Sequence, residues 1–205
     1  MKTKLIILLL FINLFSCKKT EENQPKTYNK KINELKTKGK ENAEFNFDKF
    51  LISKGKVGEI KIGMNLNDAE NSLREMNRKK VEAYDFGYDG GGNAFIYSIK
   101  SEAIIALIPN RDTTKIIAII AISNKLKTDN GLNPKSNIID ILKRYPKMEV
   151  SQDLMTENEY MYDENKKWSF IFLTDESNRI GEYKDIDESA KPKRLEAKMD
   201  YIEIK

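Results

Sequence analysis

Carboxylates are the most abundant side chains here that could do chemistry. Asp153, Glu157, Glu159, Asp163 and Glu164 cluster in the sequence. Such a group could bind calcium, or supply the carboxylate pair of a glycosidase, a reaction that needs neither His nor Cys. The spacing lacks the Asp-x-Asp-x-Asp-Gly pattern of a calcium loop, and nothing singles out a pair. A solvated hairpin tip at Asp163-Glu164-Asn165 is the simpler reading. Ser53-Lys54-Gly55-Lys56 has the spacing of a Ser-x-x-Lys nucleophile, but it ends a Lys-rich stretch and has no companion Ser-Asp-Asn or Lys-Thr-Gly. The run Gly90 to Gly92 lacks the Lys-Ser/Thr of a phosphate loop and reads as a hairpin connection with positive φ. Trp168 could stack on a sugar, yet it lies in the most apolar stretch and reads as core. The 205 residues contain no His and one Cys. That excludes Ser-His-Asp triads, His-ligated zinc, paired-Cys redox sites and an internal disulfide. No catalytic residue, metal ligand or cofactor is assigned, and a non-enzymatic protein is expected.

The single Cys carries the sharpest signal. Lys2 and Lys4 precede an apolar run over residues 5–12 that continues through Leu14 and Phe15 to the small residue Ser16. This is the layout of a secretory signal. As a helix the run would reach about 16 Å, roughly half a bilayer's hydrocarbon core, so it is too short for a permanent span. Leu14-Phe15-Ser16-Cys17 resembles a bacterial lipobox, in which the Cys becomes the acylated N-terminus after cleavage. The resemblance implies a signal peptide over residues 1–16 and lipid attachment at Cys17. A membrane partner follows, since each buried methylene contributes about 0.8 kcal/mol and two or three acyl chains anchor durably. Lys18-Lys19-Thr20-Glu21-Glu22 resembles the surface-export signals of some Gram-negative lipoproteins, and equally fits any polar tether. The expected location is the envelope of a Gram-negative bacterium, at the outer membrane, with either face open.

What must position a functional surface lies downstream. Residues 17–55 are rich in Lys, Glu and Asn and read as a polar tether. Phe45, Phe47, Phe50, Leu51 and Ile52 are its apolar part and should lead into the domain or cover it. Residues 56–205 read as one domain. Val57, Ile60 and Ile62 suggest a strand, and Asn65 with Asp68 three residues on predicts a helix cap. Leu66, Ala69, Leu73 and Met76 mark one helical face ending near Asn77. Strands are predicted at 81–86, 94–99, 102–108 and 115–123. The order then recurs: a helix within 132–145 capped at Asn137 with Asp140 and closed by Pro146, then strands at 148–154, 159–162, 168–174 and 194–204. Asn65 over Asn137, Leu66 over Ile138 and Asp68 over Asp140 share one offset, so two repeats are expected, about 56–125 and 126–205.

The fold class is therefore α+β, a duplicated strand-helix-four-strand unit whose helices pack on one face of a mostly antiparallel sheet. Leu195, Ala197, Met199 and Tyr201 alternate with Glu196, Lys198 and Asp200, as for a strand with one wet face. Segments 104–108, 116–122 and 168–173 are apolar on both faces and should be central. Their second face must be covered by the segment leading into the domain, by the polar loop 175–193, or by a ligand or partner.

This layout resembles small envelope lipoproteins and secreted inhibitors such as the beta-lactamase inhibitor protein. It is closer still to an uncharacterised enterobacterial lipoprotein family under envelope-stress control, which ends similarly with a Trp-containing sheet and a charged strand, here Trp168 and residues 194–204. The resemblance implies binding to a protein or envelope component rather than catalysis. A carboxylate-based hydrolase and an apolar-ligand carrier remain the alternatives. Nucleic acid is not an expected partner. Net charge is +4, but residues 56–205 hold 24 basic and 26 acidic side chains, and the positive excess sits in the signal and tether.

Overall fold

A small ribbon opens the fold in the computed structural model, which describes residues 45–88, 90–185 and 187–205. Strands β1 (Ile52–Ser53), β2 (Lys56–Val57) and β3 (Ile60–Lys61) pair antiparallel in that order. Gly58 turns the chain with φ 57°, and a Cβ there would stand 2.3 Å from the Lys49 carbonyl oxygen. Ile52, Val57 and Ile60 are fully buried. The folded body thus includes residues ahead of the 55/56 boundary that composition suggests. Phe50 is buried, and Ile52 N–H donates to the Lys127 carbonyl at 2.7 Å, fastening this segment to the rest of the domain.

The two expected caps form. Helix α1 (Leu66–Ser72) starts at Asn65, whose side-chain oxygen accepts the Asn67 N–H at 2.9 Å. Helix α2 (Ile138–Arg144) starts at Asn137, which accepts the Asp140 N–H at 2.9 Å. Each satisfies an N–H that the first turn leaves without a carbonyl. Both helices are shorter than the apolar spacing suggests. Leu73 caps α1, and Met76 completes the buried stripe from a turn rather than from helix. Residues 132–136 fold as turns before α2, with the N–H groups of Lys135 and Ser136 both donating to the Asn133 carbonyl.

The main sheet has eight strands: β4 (Asn77–Glu82), β5 (Asn93–Ile99), β6 (Glu102–Pro109), β7 (Ile116–Ala121), β8 (Ser151–Gln152), β9 (Glu159–Asp163), β10 (Trp168–Phe172) and β11 (Tyr201–Ile204). Their spatial order is β4-β5-β6-β7-β11-β10-β9-β8, antiparallel throughout. The order is palindromic: each half is a four-strand meander, and the halves join through their last strands, β7 and β11. Each helix start is tied the same way within its half. Leu66 N–H donates to the Thr114 carbonyl at 2.9 Å and Ile138 N–H to the Ala197 carbonyl at 3.1 Å. The second half has only an isolated bridge at Thr128 where the first has its leading strand.

Three predicted strands are corrected. The one at 81–86 ends at Glu82 and is replaced over Ala83–Phe86 by a turn of 3-10 helix. The one at 148–154 shrinks to Ser151–Gln152. The one at 194–204 shrinks to Tyr201–Ile204, because Leu195 and Ala197 spend their carbonyls on the α2 terminus. All four residues of β11 are buried, so the expected wet face is absent from this strand; it lies between β7 and β10 and is covered on both sides.

Helices α1 and α2 lie over one face, where Leu66, Ala69, Leu73, Ile138 and Ile141 share a core with Phe95, Leu107, Ile119, Phe170 and Ile202. Trp168 belongs to this core, is fully buried, and donates its indole N–H to the Ser53 carbonyl at 3.4 Å. Loop 175–193 also serves this face: Ile180 is buried in the same core, and Ala190 pairs with Val150. None of its described residues joins the apolar cluster of the second face. Asn137→Ala should lower stability by about 1 kcal/mol in urea unfolding while Asn137→Ser retains most of it; an unchanged midpoint for the Ala variant would mean that the cap contributes nothing.

Candidate functional site

The second sheet face is apolar and small-grained. Ala94, Ile96, Ala106, Ile108, Ala118 and Ile120 form a second buried cluster, distinct from the helix-side core. Register explains the separation, since Ala106 lies opposite Ile96 and Ile120 while the alternate residue Leu107 lies opposite Phe95 and Ile119.

Its cover comes from the β4–β5 connection. The chain leaves β4 at Glu82, turns through Ala83–Phe86 and is capped by Gly87 in the left-handed region at φ 82°. The base of this strap is closed by the Glu82–Asn93 pair and by Ala83 N–H donating to the Gly92 carbonyl at 3.1 Å. Ala83 and Phe86 are buried in the second cluster, and the Phe86 ring meets Tyr201 edge-on with centroids 6.0 Å apart. Beyond Gly87, the Tyr88 hydroxyl donates to Glu203 Oε1 at 2.5 Å, while Glu203 Oε2 receives Lys205 Nζ at 3.0 Å. Glu203 is only 7% exposed. Burial first, and the Glu203 charge second, push the Tyr88 phenol well above its ordinary range, so it stays a proton donor.

The connection between β8 and β9 lies beside the strap. A Cβ on Gly87 would stand 3.3 Å from the Thr156 methyl. Asp153 shapes that connection by accepting the N–H groups of Met155 and Thr156. Tyr84 on the strap and Leu154 and Met155 on this loop are apolar side chains turned outward, 57%, 51% and 66% exposed.

A second polar centre lies at the far sheet edge. Glu159 is fully buried, and its carboxylate accepts Ile180 N–H at 2.7 Å, Gly181 N–H at 2.7 Å and the Tyr183 hydroxyl at 2.6 Å. These bonds hold loop 175–193 against β9. Gln152, Arg179, Tyr183, Lys184 and Asp185 line an open hollow of about 550 Å³ beside it, across which the Arg179 guanidinium donates to the Gln152 side chain.

The chemistry-bearing residues of the sequence are not brought to one point. Asp163 accepts the N–H groups of Asn165 and Lys166 and so builds the hairpin tip. Glu164 is exposed and paired with Lys167. Glu157 is exposed at φ 60°. Ser53 and Lys56 face each other across the β1–β2 turn rather than along a helix. Among the described residues no three carboxylates group as a metal site, and no helix is long and apolar enough to cross a membrane. Leu14, Phe15, Ser16 and Cys17 lie outside the described residues, as does the acidic motif at 18–22. The sequence does not single out Phe86, Tyr88 or Glu203, and it presents Glu159 as one of a carboxylate cluster rather than as a buried staple. The available signals were the Gly after Phe86 and a lone carboxylate between Ile202 and Ile204.

These features define an α+β protein built of two antiparallel meanders, with helices over one face and a strap over the other. No family model matches the chain, and neither does any curated protein. Among solved structures it is similar to the uncharacterized protein yfeY from Escherichia coli, with a TM-score of 0.51 and 11% identity over 76% of this chain and 99% of that one. The likeness is one of fold.

Two outcomes follow. Glu159→Ala leaves two backbone N–H groups and a phenol without their acceptor, and should lower stability by about 3 kcal/mol; a loss under about 0.5 kcal/mol would show that the staple is idle. Tyr88, Tyr97, Tyr145, Tyr183 and Tyr201 all have raised phenol values, with burial the leading cause. The unfolded chain releases these protons near pH 10 while the folded chain retains them, so stability is complete below about pH 10 and falls above it. A thermal midpoint flat from pH 8 to 11 would contradict this.

Proposed function

We propose that the chain is a lipoprotein of the Gram-negative envelope, anchored in the outer membrane by acyl chains on Cys17. Residues 45–205 then act as a non-enzymatic binding or accessory module for a protein or another envelope component. The observation that carries this reading is the position of the lone Cys, directly behind a basic end and an apolar run, with Leu14 three residues before it and Ser16 one before.

Several features support the accessory part. Asp153, Glu159, Asp163 and Glu164, four of the five clustered carboxylates, are engaged in turns, a buried staple and an ion pair, which disfavours the hydrolase alternative. The second sheet face is covered by the chain's own strap, which disfavours a carrier that keeps that face open. A slightly acidic domain on a basic tether suits a membrane-proximal module better than a nucleic-acid binder.

Cys17→Ser should release the protein into the soluble fraction or leave its precursor uncleaved, with the acyl mass lost. Unchanged membrane fractionation and unchanged mass would overturn the anchor.

A further inference from the structure

We propose that Ala83–Tyr88 is a strap that opens as a unit, uncovering the apolar floor of the second sheet face while the sheet and the helix-side core stay folded. A hairpin needs only a few residues to join neighbouring strands, and the extra length between Glu82 and Asn93 is folded back across the sheet as a closed-neck loop. Its backbone hydrogen bonds are local. Gly87 N–H donates to the Tyr84 carbonyl and Tyr88 N–H to the Ala83 carbonyl, so the turn keeps them when it swings. It meets the floor through side chains, chiefly the Phe86 ring on Tyr201 and the Tyr88 hydroxyl on Glu203. The return arm is tied at the Gly90 carbonyl, which accepts from the Arg111 guanidinium at 2.5 Å, and beyond it Gly91 and Gly92 have φ of 70° and 111° with nothing within 4 Å of a Cβ at either. The floor itself is bonded on both sides, since β6 and β7 are interior strands. Opening the strap exposes Phe86 and the floor but leaves the strand ladders and the helix-side core intact, so it should require less than the energy of global unfolding.

The test compares two positions on one strand. Ala118 lies in the second cluster under the strap and Ala121 in the helix-side core, and both are fully buried. Ala118→Cys and Ala121→Cys are made separately in the full chain and reacted with N-ethylmaleimide. Peptide mass spectrometry locates the label, so Cys17 is counted apart. The thiol at 118 should react at least about tenfold faster than the thiol at 121, as local opening requires. Adding Tyr88→Phe, which removes the bond to Glu203, should speed labelling at 118 by about another tenfold and leave 121 unchanged. Should Ala118→Cys fail to fold, Ala106→Cys reports on the same cluster. Equal rates at the two positions, a slower rate under the strap, or equal acceleration of both by Tyr88→Phe would overturn the proposal.

Discussion

Strands that are apolar on both faces must be covered twice. In this protein β6, β7 and β11 impose that demand, and most of the fold answers it. Each aliphatic side chain taken out of water contributes about 1.5 to 3 kcal/mol, so an open second face would forfeit the burial of Ile96, Ile108 and Ile120 together. Two short helices cover one side. Since each is only seven residues long, they leave the β8–β9 edge to loop 175–193, which brings Ile180 into the core and needs the Glu159 staple to hold it there. On the other side a turn taken from the β4–β5 connection does the work, with Phe86 as its plug and Tyr88 as its fastener.

The two halves of the sheet divide these duties unequally. The first half spends its extra length between β4 and β5, over the second face. The second half keeps that connection short and spends its length between β10 and β11, on the helix side and at the start of α2. Similar meanders thus diverge in their loops. Two of those loops also carry exposed apolar residues, Tyr84 in one half and Leu154 and Met155 in the other.

Locally determined features were legible in the sequence. Asn65 and Asn137 cap helices because their side chains can reach the N–H groups of the next few residues, and the long apolar runs fell in interior strands as their two-faced pattern required. Features set by distant partners were not legible. Ala83 to Phe86 have strand-like composition, and only the left-handed Gly87 marks a turn. The alternation at 195–201 looked like a strand with a wet face, but comes from a segment laid against α2. Glu159 stands in the sequence as one of a carboxylate cluster, and nothing nearby marks Glu203. Their burial depends on Tyr183, 24 residues away, and Tyr88, 115 residues away. Helix length was overestimated for a related reason: apolar spacing reports burial, and Met76 and Leu132 are buried without being helical.

The double cover of the sheet is tested most directly by nuclear Overhauser measurements on the folded protein. Ring protons of Phe86 should show close contacts to the Tyr201 ring, and the Ala118 methyl should be shielded from a soluble paramagnetic probe as fully as the Ala121 methyl on the same strand. A Phe86 ring without contacts to Tyr201, together with an Ala118 methyl broadened by the probe, would show that the chain leaves its second face open.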